Sequence, residues 1–284
     1  MKLLSIICAL SFGLQAAAIT DKILIITHAF NRPDFIEYQA KTFKAFLQDR
    51  YQFVVFNDAQ DPAISAQIQN ACKRLKVKCI DIPQSIQNGV SWASIRTANS
   101  IEYSLKKAGF DYDGIVFIID SDMFLIKPLH IKSFLGDYDL YGAEQRNGEI
   151  VYLWNGLLFL NMATLPNKKT MSFSPAPIKG KSLDTGGHLY YYLTNNPSIK
   201  LKTYGDMHIN QLPKDYAALR ALGFNDITCD FIINSDPSDT HCMQFHAEDH
   251  FLHYRAGGNW MHKDPEYHAK KSAYLFRFLD AITR

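Results

Sequence analysis

The sequence is short of net charge. Its 284 residues carry 30 Lys+Arg against 28 Asp+Glu, a formal balance of +2. A polyphosphate backbone demands a strongly basic face or stripe, so nucleic acid is not an expected partner. Cysteine is scarce at five, and no two cysteines stand at the two-to-four-residue spacing of a zinc knuckle. Repeats, low-complexity tracts and long linkers are missing, and after the first 18 residues no apolar run approaches the roughly 20 residues that span a bilayer. What remains is 47% hydrophobic and 13% aromatic, the profile of an ordered globular chain. At this length the core forms without a disulfide scaffold or structural metal, so any metal is expected to serve chemistry.

The start of the chain has a character of its own. Lys2 precedes a nearly continuous apolar run from Leu3 to Leu14, and Ala16-Ala17-Ala18 supplies the small residues of a cleavage site. Residues 1–18 are therefore expected to be a signal peptide, placing the chain in the periplasm, a secretory lumen or the exterior, with an uncleaved anchor as the alternative. Cleavage leaves 266 residues (284 less 18) and four cysteines in two local pairs, Cys72/Cys79 and Cys229/Cys242. An even count suits an oxidising compartment, and two disulfides are expected, against the alternative of four buried thiols.

From Ile23 onward, short β-rich runs alternate with helical periodicity, which predicts an α/β fold: an open, mostly parallel sheet flanked by helices in a single catalytic domain, 19–284. Ile23 to Thr27 is a strand apolar on both faces. Pro33 opens a helix with its inward row at Phe35, Gln39/Ala40, Phe43 and Phe46/Leu47. A strand at Tyr51 to Asn57, a helix capped by Asp61-Pro62 and a strand at Val77 to Ile82 follow. A helix over Ser91 to Ala108 is expected to end at a left-handed Gly109, before a strand from Gly114 to Asp120. These make a nucleotide-binding half, 19–127. A more irregular half, 128–284, holds strands at Asp139 to Ala143 and Val151 to Asn161, helices at His188 to Leu193 and Lys214 to Leu222, and a terminal helix after Asp264-Pro265.

Chemistry concentrates at Ile118-Ile119-Asp120-Ser121-Asp122. Two carboxylates one residue apart at the end of a buried strand point to one side, into the crevice beyond the strand's carboxyl end. Like charges so close repel each other unless a cation lies between them, and hard Mn²⁺ or Mg²⁺ suits oxygen ligands and bridges diphosphate oxygens.

This strand-Asp-x-Asp arrangement, after a βα-alternating half, resembles the GT-A fold of nucleotide-diphospho-sugar glycosyltransferases, and further segments match in order over nearly the whole mature chain. Thr27 to Pro33, with Thr27, Asn31 and Arg32, occupies the place where that fold holds nucleobase and ribose. Arg96-Thr97-Ala98-Asn99 looks like the Arg and Asn that reach the nucleotide and metal loop. Trp154-Asn155-Gly156 is similar to the Asn-x-Gly strand that closes over the donor sugar. Asp184-Thr185-Gly186-Gly187 occupies the place of the acidic loop between donor and acceptor. His253 to Trp260 resembles the C-terminal segment whose His completes the metal site. Where related enzymes place a phosphate-binding Lys before the terminal Trp, this chain has Asn259, leaving Arg255 or Lys263 to substitute.

The resemblance implies a metal-dependent hexosyltransferase that moves a sugar from a nucleotide diphosphate sugar, UDP-linked by family default, to a carbohydrate, lipid or protein hydroxyl. It implies metal ligands Asp120, Asp122 and His253, donor contacts from Thr27, Asn31, Arg32, Arg96, Asn99, Asp120, Asn155, Gly156, Arg255 and Lys263, and Asp184 as the catalytic carboxylate. Plainer roles compete: Asp184 as a helix cap, Arg96 paired with Glu102, Asn31 and Arg32 capping the helix at Pro33, and Tyr190 to Tyr192 packing a helix instead of stacking an acceptor sugar. Other functions fit less well. A nucleotidyltransferase needs a glycine-rich loop that Thr27 to Pro33 lacks. A hydrolase built on His246 to His250 has its Glu misplaced for a zinc protease. A secreted carbohydrate- or nucleotide-binding protein without activity is the main competitor.

Overall fold

A computed structural model describes residues 22–258 and 264–284. The leader at 1–18 and the residues Asn259, Trp260, His262 and Lys263 lie outside the described residues.

The first half builds as its periodicity requires. β1 (Ile23–Ala29) leads to α1 (Pro33–Phe46), whose first turn is set by Pro33. β2 (Tyr51–Asn57) is followed by α2 (Pro62–Leu75), capped where the Asp61 side chain accepts from the Ala63 N–H, and by β3 (Lys78–Asp81). α3 (Ala93–Ser104) precedes β4 (Ile115–Ile119). The helix does not stop at a left-handed Gly109. It runs on through a π-helical turn, Leu105–Gly109, into Phe110 with helical φ and ψ. A Cβ at Gly109 would lie 2.6 Å from the end of the Leu105 side chain, so any larger residue there has to displace that methyl.

The second half adds β5 (Met123–Leu125), α4 (Ile131–Leu135), β6 (Leu140–Asn147), β7 (Ile150–Asn161), α5 (Leu189–Asn195), β8 (Leu201–Tyr204) and β9 (Asp206–His208). It ends with α6 (Tyr216–Ala221), α7 (Asp226–Ile233), β10 (Gln244–His246), β11 (Phe251–His253) and α8 (Pro265–Ile282). Seven strands form the main sheet in the order β3-β2-β1-β4-β7-β6-β8. Only β7 runs against the others. The α/β class with an open, mostly parallel sheet flanked by helices is therefore what the chain forms, and the sheet crosses the 127/128 division, because β6, β7 and β8 complete it.

Both faces of that sheet are covered. Ile23, Ile25, Phe53, Val55, Phe117 and Ile119 pack on Ile36 and Phe43 of α1 and Ile68 of α2. The alternate residues Leu24, Ile26, Val54, Phe56, Val116 and Ile118 pack on Ile101 of α3 and Leu189 of α5. A second sheet, β5-β11-β10-β9, lies between two cores. Its Met123, Leu125 and Phe251 join the first of these clusters, while Phe124, Leu252 and Phe245 face Phe231 of α7 and Leu275, Phe278 and Leu279 of α8.

The expected disulfides are not formed, and the four described cysteines are free. Cys229 turns its thiol to the Phe224 carbonyl at 3.7 Å while Cys242 faces His208 Nδ1 at 3.6 Å, so that pair is divided between separate partners. Cys72 and Cys79 meet as hydrogen-bonded thiols, which drives the Cys72 thiol up and the Cys79 thiol down. No described helix is long and apolar enough to cross a membrane.

Candidate metal and nucleotide site

The Asp-x-Asp segment is a turn, and the turn aims the carboxylates. β4 ends at Ile119, and the Met123 N–H closes onto the Asp120 carbonyl at 3.1 Å, so convergence comes from a reversal of the chain and not from strand pleating. Gln39, fully buried on α1, donates to the Asp120 carbonyl (2.8 Å) and the Met123 carbonyl (3.0 Å), clamping the turn. It stands in the otherwise apolar inward row of α1. A polar residue in such a row was the available signal, since a buried amide needs partners.

Strand register supplies the third member of the group. β11 pairs with β5 so that His253 lies opposite Met123, which brings its Nε2 to 3.4 Å from Asp122 Oδ1. One ligand atom from each of Asp120, Asp122 and His253 falls within 4.8 Å of the others. Asp122 is fixed further by the Gly257 N–H on its Oδ2 (2.9 Å) and by the Tyr254 N–H on its carbonyl (2.9 Å). Gly257 permits this approach, because a Cβ there would stand 2.5 Å from Asp122 Cβ and 2.8 Å from Phe35.

The charges answer to this geometry. Burial, then the charge of Asp122, pushes the Asp120 carboxyl up to about 7. Burial alone would also raise Asp122, but the His253 imidazole and the Gly257 N–H more than offset it, so that carboxyl lies below the usual carboxylate range. A dyad of one high and one low carboxyl beside an imidazole is short of positive charge. Oxygen and imidazole donors at this spacing fit a hard or borderline divalent cation such as Mn²⁺ or Mg²⁺.

β7 carries its own adjustment. Its ladder with β6 jumps from Gly142↔Leu158 to Ala143↔Trp154, so 155–157 bulge out of the pairing. The bulge delivers the Gly156 carbonyl to the Asp120 N–H at 2.8 Å and puts Asn155 on the cavity wall. The Trp154 ring folds over Gly156, where a Cβ would meet the ring at 2.2 Å and Asp120 Oδ2 at 2.7 Å. Trp154 also packs against His253 (centroids 5.3 Å) and stacks on His246 (5.2 Å), which is buried with neither ring nitrogen paired.

Asp120, Ser121, Asp122, Trp154 and Asn155 line a cavity of about 380 Å³ beyond the carboxyl ends of β1, β2 and β4. Asp184 and Thr185 also line it, together with the start of α3. Asp184 caps no helix: its Oδ1 accepts from Ser94 Oγ (2.8 Å) and from the Thr185 N–H (2.7 Å). Arg96 reaches the cavity but is committed to Asp58, with Nε 2.7 Å from Oδ2, and not to Glu102, which accepts from Ser172 and the Phe173 N–H. His28 and Phe30 of the Thr27–Pro33 segment also line the cavity, while Asp58 and Trp92 are lining residues with no counterpart among the sequence motifs. Asp58 follows β2 with no motif around it to mark it.

The remaining expected donor contacts lie elsewhere. Thr27 is buried inside the sheet and is not among the lining residues. Asn31 donates to the Gly258 carbonyl at 3.0 Å and so ties down the loop that carries Gly257. Arg32 forks onto Asp34, donates to Ser272 at 2.9 Å and lies 3.7 Å over the Phe35 ring, joining α1 to α8. Asn99 is held by the Ile86 carbonyl and the Gln87 side chain. Arg255 and Ala256 form a left-handed pair ahead of Gly257, and Arg255 lines no part of this cavity. His246 and His250 do not share a helix face: Ala247, Glu248 and Asp249 are consecutive left-handed residues between two strands. Tyr192 is buried with its hydroxyl on the Pro166 carbonyl, while Tyr191 is exposed.

No family model matches the sequence, and no curated protein matches it. Among solved structures, the chain resembles the galactosyltransferase LgtC in complex with donor and acceptor sugar analogs, at 16% identity and a TM-score of 0.36 over 49% of this chain and 58% of that one. Glucosyl-3-phosphoglycerate synthase from Mycobacterium tuberculosis, solved with Mn²⁺, uridine diphosphate and glucosyl-3-phosphoglycerate, is similar at 12% identity and a TM-score of 0.39, over 64% and 69% of the two chains. TarS of S. aureus is similar at 15% identity and 0.37, over 54% and 30%. The chain thus spans less than two thirds of the galactosyltransferase it matches, and likenesses of this extent do not define a family.

Proposed function

We propose that the protein is a divalent-metal-dependent glycosyltransferase that moves a sugar from a nucleotide diphosphate sugar to a hydroxyl acceptor. The observation that carries this reading is the grouping of Asp120, Asp122 and His253 within 4.8 Å, with both aspartates on the wall of a cavity also lined by Asp184. The charge balance of that cavity supports it. Among the described lining residues the one Lys or Arg is Arg96, and Asp58 already neutralises it. A diphosphate entering beside Asp120, Asp122 and Asp184 needs a counter-charge; Asp120, Asp122 and His253 would hold Mn²⁺ or Mg²⁺, which would supply it as a Lewis acid for the departing diphosphate.

The chain's own residues do the rest. Gln39 clamps the backbone carbonyl of Asp120, the Gly257 N–H holds the Asp122 carboxylate and the Trp154 ring packs on His253 before substrate arrives. Asn155 lines the donor side, and the Gly156 carbonyl accepts from the Asp120 N–H behind it. Asp184, with Oδ1 committed to Ser94 and Thr185, keeps Oδ2 to orient or deprotonate the acceptor hydroxyl. UDP is the proposed nucleotide and Mn²⁺ the proposed metal.

A thermal-shift titration tests the binding half of this reading. UDP with Mn²⁺ is expected to stabilise the protein far more than either alone, by about 2.7 kcal/mol at a hundredfold excess over Kd. Equal responses with and without metal would remove it. The leader reading of residues 1–18 carries a proposal of export, tested by N-terminal sequencing of the exported chain.

A further inference from the structure

Trp92 is the most exposed large hydrophobic side chain among the described residues, at 71%. It stacks on no other ring among them, and it lines the rim of the cavity that also holds Asp184. Leaving an indole in water forfeits a large apolar contribution, so its place at a binding cavity calls for an occupant.

The segment around it is held rigidly. The Trp92 carbonyl accepts from the Arg96 N–H at 3.1 Å, and Arg96 is locked to Asp58. Two residues on, Ser94 Oγ donates to Asp184 Oδ1 at 2.8 Å, and the Ser94 carbonyl accepts from Thr185 Oγ1 at 3.0 Å. Trp92 and the Asp184 carboxylate are therefore parts of one braced unit. Asp184 Oδ2 takes no hydrogen bond among the described residues.

From this we infer that Trp92 and Asp184 form a carbohydrate subsite that receives the acceptor as a pyranose ring. The inference rests on the transferase reading for the word acceptor. A pyranose offers a face of C–H groups and a rim of hydroxyls. The indole meets the first and Asp184 Oδ2 accepts from the second, the pairing of one apolar plate with a few fixed polar groups that marks small-molecule sites. A lipid tail fits less well, because Val90 and Ala93, the apolar side chains that line the cavity beside Trp92, are small and interrupted by Ser91, Ser94 and Thr97.

The test is saturation-transfer NMR of methyl glycosides of glucose, galactose, mannose and N-acetylglucosamine on the full chain with Mg²⁺ and UDP. The same measurement is made on Trp92→Ala and Trp92→Phe, and the exposure of Trp92 leaves both variants free to fold. At least one glycoside is expected to bind at millimolar affinity through its ring C–H protons. Its binding should weaken about tenfold in Trp92→Ala and much less in Trp92→Phe, tenfold corresponding to about 1.4 kcal/mol. Binding indifferent to Trp92→Ala, no binding of any glycoside, or saturation confined to the alkyl chain of an octyl glucoside would each overturn the subsite. A UDP response without Trp92-dependent glycoside binding sinks this inference and leaves the transferase reading standing. Trp92-dependent binding without a UDP response does the reverse.

Discussion

Asp120 makes the metal-free protein sensitive to pH in a direction that a bound divalent cation should cancel. Its carboxyl is pushed up to about 7 from the ordinary 3.8, by burial first and Asp122 second. The folded state therefore holds this proton more tightly than the unfolded chain does. The stability it contributes is complete below about pH 4 and lost as pH rises through about 7. At about 1.4 kcal/mol for each pH unit in that window, the bound is about 4 kcal/mol, which solvent access at the cavity wall trims toward about 2. Asp120→Asn keeps the shape and removes the charge. In metal-free buffer the variant should gain on wild type progressively from pH 4 to pH 8, by roughly 4–8 °C in Tm at the alkaline end. Mn²⁺ at pH 8 should then stabilise the wild type and leave Asp120→Asn nearly unmoved. The assay is thermal unfolding across pH with EDTA or Mn²⁺. A wild-type to variant difference that is flat with pH, or equal stabilisation of both by Mn²⁺, would refute the reasoning.

Three substitutions probe the frame around that pair. Gln39→Leu strips the Asp120 and Met123 carbonyls of their buried donor and should cost about 1–3 kcal/mol in urea unfolding, with weaker Mn²⁺ binding by electron paramagnetic resonance; unchanged binding would count against the clamp. Gly257→Ala drives a methyl into Asp122 and Phe35 and should cost about 1–3 kcal/mol while weakening Mn²⁺ binding, and a neutral result would show that the loop can move aside. Asp184→Asn should lower transfer by about a hundredfold or more while the UDP and Mn²⁺ thermal response persists, and full activity would remove Asp184 from the reaction.

How far the sequence reaches depends on how local each determinant is. β1, α1, β2, α2 and β4 were legible because strand apolarity, Pro33 and the Asp61 cap act within a few residues. Gly109 was legible as a special position for the wrong reason, since its neighbour Leu105, not a left-handed φ, crowds any side chain there. The two aspartates and His253 were picked out by the order of motifs, and a turn with a long-range strand register is what brings them together. Gln39, Asp58 and the 155–157 bulge stayed hidden because their meaning lies in partners far along the chain. Arg32 and Asn99 were assigned to substrate although nearer protein groups hold them, a competition that spacing alone does not reveal.

The central claim is metal-dependent transfer at Asp120, Asp122 and His253. Its most direct measurement is nucleotide diphosphate release from a panel of nucleotide sugars by the full chain, with Mn²⁺ and with EDTA, beside Asp122→Ala. The account predicts release from at least one sugar nucleotide that needs Mn²⁺ and vanishes in Asp122→Ala while the variant remains folded. Release that survives EDTA or Asp122→Ala, or no release from any donor by folded wild-type protein, would contradict it.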